Sequence, residues 1–412
     1  MNSHATVHPR AAFGHFDFRQ LFFSRFLSIV AYQMTVVVLA QFIYEQTHNP
    51  LNLGYIGLAL FFPRFCLGLL AGYVADHFDR RVILLSCRLL QCISVVGIIL
   101  FLHWAPEKLW VLYILLFLVG GATAFDSPAS QSIVTQIVPT EHFSNAVKWN
   151  GIAYEASLVL GPALGGFLYG VWGGPIRVLY GVALLRFFSM LLVGSMKIRA
   201  GGLDASDISW KSLLAGIQYI RKKRVILGTI SLDLFAVLFG GAVALMPVFA
   251  NDILHVGPSG LGLLRAAPAV GAALMALAMA YGSRIQQNGR TMLVCVMIFG
   301  AATILFGLSR NFYFSLLCLS ILGAADMVSV VIRGVMVQME TPPHMRGRVS
   351  AINFIFIGAS NELGEFESGL TASWFGTVPA VLVGGLSTLG VVFLWNRWFP
   401  ELGKYTPGRG SQ

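Results

Sequence analysis

The sequence predicts an all-α membrane protein with twelve transmembrane helices in two pseudo-symmetric six-helix bundles. The chain has 412 residues, of which 56% are hydrophobic and 11% are charged, whereas soluble domains carry roughly 25% charged residues. Apolar runs of about 20 residues, long enough to cross a bilayer, recur along the chain. The second half also repeats the first. A duplicated bundle of membrane helices is typical of secondary transporters, which bind substrate between the repeats.

The repeat is defined by glycine, proline and asparagine residues at a constant spacing. The residues that recur after 203 positions are Pro139, Asn150, Gly161 and Gly166, which correspond to Pro342, Asn353, Gly364 and Gly369. A long polar stretch at 197–224 divides the two halves. The sequence therefore predicts an N-terminal bundle at 1–196, a cytoplasmic linker at 197–224 and a C-terminal bundle at 225–412. Within the linker, residues 209–220 space their apolar side chains as an amphipathic surface helix does.

The apolar runs are too long for the strands of a membrane barrel and therefore predict helices. We expect these helices near 17–44, 53–75, 82–103, 108–134, 144–172, 176–196, 225–249, 257–281, 290–308, 311–337, 347–375 and 379–398.

The basic residues of the loops indicate the orientation in the membrane. Seven lysines and arginines lie in the central loop alone, whereas the loops of the opposite face hold Lys108, Arg177 and Arg310. Because cytoplasmic loops are enriched in basic residues, we expect both termini in the cytoplasm. The net charge of +10 is explained by this topology, and we do not expect a nucleic-acid partner.

A first motif lies at the cytoplasmic end of the second predicted helix, in Gly72–Arg81. Gly72 would allow another helix to approach closely, and Asp76 would be attracted to a neighbouring helix N-terminus. Arg80 and Arg81 could pair with acids or with lipid phosphates. Together these residues would form a gating latch between the halves. The alternative is a simple basic anchor, which accounts for the two arginines but not for Gly72 and Asp76.

A second motif lies in the fifth predicted helix, where Gly151 is followed by Gly161, Pro162, Gly165 and Gly166. Proline interrupts the hydrogen bonds of a helix, and glycines permit tight packing and bending. The motif therefore predicts a gating hinge, with plain helix packing as the alternative.

The chain resembles the major facilitator superfamily, in the bacterial branch that contains the enterobactin exporter and the macrolide efflux proteins. The resemblance lies in Phe18–Ile29, Lys211–Gly216 and Thr341–Arg348, and in both motifs above. It implies export driven by proton exchange across a bacterial inner membrane. The sequence departs from the family at Asp79, where the loop signature has glycine. It also carries Asp126 in helix 4, where many proton-driven drug exporters carry an arginine.

Ionisable residues inside the spans mark candidate coupling or substrate sites, because each costs at least about 2.5–3.5 kcal/mol to insert. The richest site is in the eleventh predicted helix. Glu362 and Glu365 share a helix face, whereas Glu367 points elsewhere. One of these crowded acids could hold a proton at neutral pH, as coupling requires. Structural pairing with a buried arginine is the alternative.

Further ionisable residues lie in five other predicted helices. They are Arg25, Asp126, Glu155, Asp233, Asp326 and Arg333. Asp326 and Arg333 are seven residues apart and so face the same way. Arg25 and Asp233 occupy similar depths in pseudo-equivalent helices and could pair with each other. A static network of ion pairs is the alternative for all six.

No phosphate-binding loop, catalytic triad or metal-ligand spacing occurs, so we expect neither enzyme activity nor a cofactor or resident metal. We predict a monomeric secondary transporter whose partners are protons, membrane lipids and a small organic molecule, either a drug-like amphiphile or a siderophore. The alternatives are export of a divalent metal cation, a sensor or scaffold that transports nothing, and uptake in place of export.

Overall fold

The computed structural model describes residues 11–197, 217–282, 286, 288–342 and 345–405. These residues form twelve long helices and no β-strand. The helices are α1 (Phe16–Thr47), α2 (Pro50–His77), α3 (Arg80–Trp104), α4 (Leu109–Ser132), α5 (Thr140–Trp172), α6 (Pro175–Gly194), α7 (Arg224–Phe239), α8 (Gly257–Tyr281), α9 (Gly289–Leu308), α10 (Phe312–Glu340), α11 (Arg346–Phe375) and α12 (Thr377–Trp398). The predicted all-α membrane fold is confirmed.

Eleven helical segments of the described chain are long and apolar enough to cross a membrane. The twelfth long helix, α11, has 30 residues and therefore sufficient length. It is less apolar than the others because Glu362, Glu365 and Glu367 lie within it. The linker helix expected over 209–220 falls mostly outside the described residues, although 217–222 are helical.

Polar side chains define where several helices begin. Asp79 Oδ1 accepts a hydrogen bond of 2.9 Å from the backbone N–H of Arg81 and so caps α3. Asn288 caps α9 through the N–H of Thr291, and Asn311 caps α10 through the N–H of Phe314. Each cap satisfies a backbone donor that the first turn of a helix leaves unpaired.

The seventh span is interrupted, which the apolar run at 225–249 does not predict. After α7 ends at Phe239, the chain forms a 3-10 turn at Ala242–Leu245, a single α turn and a π-helix at Phe249–Ile253. A Cβ at Gly240 would lie 2.5 Å from the Phe299 ring. A Cβ at Gly241 would lie 2.6 Å from the carbonyl oxygen of Gly364. The two glycines therefore let α9 and α11 approach the break closely.

The chain divides into two compact units. Unit 1 comprises Met1–Leu39 and Phe62–Ser206, and unit 2 comprises Ala40–Phe61 and Asp207–Gln412. The end of α1 and the beginning of α2 thus belong with the second half of the chain. The sequence-based division at 196 and 225 follows the internal repeat and stays a prediction.

The helix pair α8–α10 is tightly packed. In unit 2, a Cβ at Gly323 would overlap the carbonyl of Pro268, so α8 and α10 are in close contact. In unit 1, a Cβ at Gly121 would lie 3.8 Å from Pro63, which is ordinary contact. An apolar groove of about 750 Å³ lies between α2, α3 and α4.

Candidate transport site

Unit 1 contains a buried ion pair between α3 and α4. Arg88 Nη2 lies 3.1 Å from Asp126 Oδ1, and the two side chains are 1% and 15% exposed. Arg25 of α1 interacts electrostatically with both residues. Asp126, which the sequence marks as a candidate, therefore serves as a counter-charge for arginines of two other helices.

A third arginine, Arg186, joins this network from α6. Arg88 Nη1 and Arg186 Nη1 each donate a hydrogen bond of 2.6 Å to the hydroxyl of Ser28. The same nitrogens donate to Gln91 Oε1 at 3.2 Å and 2.5 Å. The four side chains are at most 4% exposed. The network brings α1, α3 and α6 together through polar contacts inside an apolar unit.

The sequence-based reasoning missed Arg88 and Arg186. Both lie within predicted apolar spans, at 82–103 and 176–196. The rule that marks the acids, that an ionisable residue in a span requires a partner or a role, would have found these two arginines as well.

A half-buried basic and aromatic surface lies beside the network. Arg64 of α2 donates a hydrogen bond of 2.8 Å to the hydroxyl of Tyr32, and its guanidinium lies 5.4 Å from the centre of that ring. Tyr154 of α5 is 47% exposed and interacts electrostatically with Arg64, Arg25 and Glu155. We call Arg25, Tyr32, Arg64 and Tyr154 the basic–aromatic patch.

Unit 2 contains a carboxylate pair that shares one arginine. Arg333 of α10 forms a buried ion pair with Asp233 of α7. Asp326, two turns earlier on α10, interacts electrostatically with both residues. Asp233 and Asp326 line one small cavity of about 10 Å³, which is roughly the space of one water molecule. The sequence predicts that Asp326 and Arg333 share a face, and the structure adds Asp233 to them.

The sequence-based pairing of Arg25 with Asp233 stays a prediction, and each of these residues has a partner within its own unit. Asp233 has its ion pair with Arg333 within unit 2, and Arg25 interacts with Asp126 within unit 1. The depth of a residue in its span is evident from the sequence, but the direction in which its side chain points is not.

The glutamates of α11 lie against the beginning of α2. A Cβ at Gly57 would lie 3.0 Å from Glu365 Cβ and 3.0 Å from the carbonyl oxygen of Glu362. Glu367 accepts a hydrogen bond of 2.8 Å from the hydroxyl of Thr371 on its own helix. Glu362 and Glu365 thus lie where α2 and α11 approach closely, and Glu367 bonds within its own helix. Their role in proton coupling stays a prediction.

The glycine motif of α5 lies against α1. A Cβ at Gly161 would lie 2.5 Å from Gln33 Cβ, and a Cβ at Gly165 would lie 3.0 Å from Met34 Cα. Pro162 and Gly166 are buried in the same stretch. These contacts agree with tight packing as the role of the glycines. The hinge stays a prediction.

The two arginines of the motif between α2 and α3 form hydrogen bonds within unit 1. Arg80 is buried and donates a hydrogen bond of 3.0 Å to the carbonyl of Ala75. Arg81 donates at 2.5 Å to the carbonyl of Gly194, at the end of α6. These bonds attach the end of α2 to α3 and α3 to α6. A latch between the halves stays a prediction.

Gly72 and Asp76 are the other two residues of this motif. No described atom lies within 4 Å of the place that a Cβ would take at Gly72. The close helix approach expected there stays a prediction. The side chain of Asp76 lies outside the described residues.

Hydrogen bonds in unit 2 connect the end of α1 with the π-helix. Gln41 Nε2 donates to Asn251 Oδ1 at 2.9 Å, and Asn251 Nδ2 donates to Gln41 Oε1 at 3.1 Å. The hydroxyl of Tyr44 donates to Asp252. Sequence reasoning did not find this cluster, because its polar residues lie at the ends of two spans that are distant in the chain.

Comparisons with known proteins agree with this architecture. The model of the Major Facilitator Superfamily matches residues 21–365. The chain is 26% identical over 377 residues to enterobactin exporters of Escherichia coli O1:K1 / APEC and of Citrobacter koseri, covering 91% of this chain and 86% of each relative.

Solved transporter structures share the fold at low sequence identity. The nucleoside transporter NupG matches with a TM-score of 0.73 and 15% identity, over 95% of this chain and all of that one. A peptide transporter in complex with sulfate matches with a TM-score of 0.75 and 14% identity, over 98% of both chains. The family match spans most of a chain whose long helices already form this fold, and the protein is therefore a transporter that belongs to the Major Facilitator Superfamily.

Proposed function

We propose that the protein is a proton-coupled exporter of a small organic molecule, either a siderophore or a drug-like amphiphile, and that it works by alternating access. The similarity to enterobactin exporters over 91% of the chain supports export and this substrate class. The observation that carries proton coupling is the presence of Asp326 beside the ion pair of Arg333 with Asp233.

Two carboxylates that share one arginine provide a site for an exchangeable proton. When both are ionised, they repel each other in a low-dielectric environment. Protonation of Asp326 removes that repulsion and leaves the buried pair of Arg333 and Asp233 intact. Protons from outside the cell would load this site, and their release inside would return the transporter to its starting state. The glutamates of α11 provide a second candidate for the same role.

Transport in proteoliposomes tests the proposal. We expect enterobactin or the amphiphilic dye ethidium to move when a pH gradient is imposed, and substrate addition to shift the fluorescence of pyranine, a pH indicator. Asp326→Asn should uncouple the two movements, so that substrate still exchanges but pyranine does not respond. Asp79→Asn, which changes an acid at a helix cap, is the matched control. Flux that is unaffected when a protonophore collapses the gradient would refute proton coupling.

A further inference from the structure

The two units carry opposite charge inside their spans. We consider the ionisable side chains that lie in the interior of a described span and are not exposed. Unit 1 has four such arginines and two carboxylates, namely Arg25, Arg64, Arg88 and Arg186 with Asp126 and Glu155. Unit 2 has two arginines and five carboxylates, namely Arg265 and Arg333 with Asp233, Asp326, Glu362, Glu365 and Glu367. Unit 1 therefore presents an excess of positive charge at membrane depth.

The arginines of unit 1 fall into two groups by burial. Arg88 and Arg186 are 1% and 2% exposed, and the polar network around Ser28 and Gln91 holds them. Arg25 and Arg64 are half-buried. Charged side chains at membrane depth face the interior of a bundle or a water-filled cavity, since lipid contact is too costly. The half-buried pair therefore marks the part of the excess charge that a dissolved molecule can reach.

Two tyrosines lie beside these arginines. The guanidinium of Arg64 lies over the ring of Tyr32. The half-exposed Tyr154 interacts with Glu155, Arg64 and Arg25, so that two arginines and one carboxylate lie near its ring. A guanidinium binds the two oxygens of a carboxylate through two parallel N–H groups. Tyrosine rings pack against other aromatic rings, and their hydroxyls add hydrogen bonds. This combination matches a molecule that carries both an aromatic ring and a negative charge.

We infer that the transported molecule is an aromatic organic anion and that the basic–aromatic patch of unit 1 binds it. This inference rests on the proposed function and adds the charge and the chemical class of the substrate. An aromatic cation would instead be repelled by the excess positive charge of unit 1. The transporter therefore selects between amphiphiles of similar shape by the sign of their charge.

Three probes of matched shape test this selection on the full-length protein in lipid nanodiscs. They are 2-naphthoate, uncharged 2-naphthamide and the cation 2-naphthylmethylammonium, with binding measured by calorimetry and by thermal shift. We expect 2-naphthoate to bind at least roughly tenfold more tightly than the amide, a difference of about 1.4 kcal/mol, and the cation to bind most weakly. Higher salt should weaken binding of the anion alone. Tightest binding by the cation, or equal binding by all three, would overturn the inference.

Substitutions in the basic–aromatic patch distinguish the contribution of charge to binding from the contribution of shape. Arg64→Gln should reduce the preference for 2-naphthoate over 2-naphthamide to near unity, whereas Arg64→Lys should retain part of it. Tyr154→Ala should weaken the binding of all three probes and keep their order of affinity. This variant gives a second readout if Arg64→Gln does not fold. Arg177→Gln removes an exposed arginine of the same unit and should leave the preference unchanged. An unchanged preference in well-folded Arg64→Gln and Arg25→Gln would exclude the patch.

Binding and flux distinguish failure of this inference from failure of the proposed function. Selective binding of 2-naphthoate without flux that depends on a pH gradient would support the patch and refute proton-coupled export. Export of ethidium that depends on the gradient, together with no binding or transport of 2-naphthoate, would refute the patch and leave the proposed function intact.

Discussion

Arg88 and Asp126 form a buried ion pair in which Nη2 and Oδ1 are 3.1 Å apart. The pair connects α3 to α4, and the same arginine shares Ser28 and Gln91 with Arg186. One carboxylate thus stabilises a group of guanidiniums that the apolar interior of unit 1 would otherwise exclude.

Removal of that carboxylate should destabilise the protein strongly. Asp126→Asn leaves buried guanidiniums without their counter-charge, and breaking a buried pair in this way costs about 3–5 kcal/mol. We expect a large fall in the melting temperature of the purified protein, measured by intrinsic fluorescence. The double variant Arg88→Met with Asp126→Leu removes both charges of the pair. Its melting temperature should therefore fall less than that of Asp126→Asn. A melting temperature of Asp126→Asn equal to that of the unchanged protein would contradict this role.

The contact of α5 with α1 depends on the absence of a side chain at Gly161. A Cβ there would lie 2.5 Å from Gln33 Cβ, and neither atom can move without its backbone. We expect Gly161→Ala to cost about 1–3 kcal/mol through overpacking. Gly151→Ala is the matched control in the same helix, because no described atom lies within 4 Å of its Cβ position. That control should be neutral or stabilising by up to about 1 kcal/mol, as read from thermal or denaturant unfolding.

Gly57 determines how closely α2 approaches α11. Its Cβ position lies 3.0 Å from the backbone oxygen of Glu362, so Gly57→Ala should push the two helices apart. We expect lower stability and slower transport of enterobactin in proteoliposomes. Gly68→Ala, on the same helix with no described atom within 4 Å of its Cβ position, should change neither quantity. Equal effects of the two substitutions would show that the close approach of α2 to α11 affects neither stability nor transport.

The reciprocal hydrogen bonds of Gln41 with Asn251 should appear as an energetic coupling. A double-mutant cycle with Gln41→Leu and Asn251→Leu should give a coupling free energy of about 1 kcal/mol or more, since either single change leaves buried polar atoms unsatisfied. The measurement is the free energy of unfolding of the four proteins. Strict additivity would show that the end of α1 and the π-helix do not stabilise each other.

The sequence was sufficient for the positions of the helices, because apolar length and flanking charge report directly on spans. The expected helix at 257–281 coincides with α8, and the expected helix at 176–196 lies within two residues of α6. The interruption after Phe239 was not evident, because Gly240 and Gly241 are followed by further apolar residues. Only the neighbours Phe299 and Gly364 explain why those two positions lack side chains.

The ionisable residues of the candidate site were evident from the sequence, but the ion pairs that they form were not. Ionisable residues in apolar runs stand out, and Asp126, Asp326 and Arg333 were found in this way. Which partner each residue meets depends on the rotation of its helix and on tertiary packing. Asp233 pairs with Arg333, a partner that depth in the span alone does not identify.

The polarity of α11 has a consequence for biogenesis. A segment with three glutamates is poorly suited to leave the translocon alone, because each charge at the centre of a span opposes insertion by about 2.5–3.5 kcal/mol. The beginning of α2, which contacts α11 through Gly54 and Gly57, is synthesised about 300 residues earlier. We expect α11 to enter the bilayer only when this earlier segment is already in place to receive it. Deletion of α2 would then leave α11 outside the membrane.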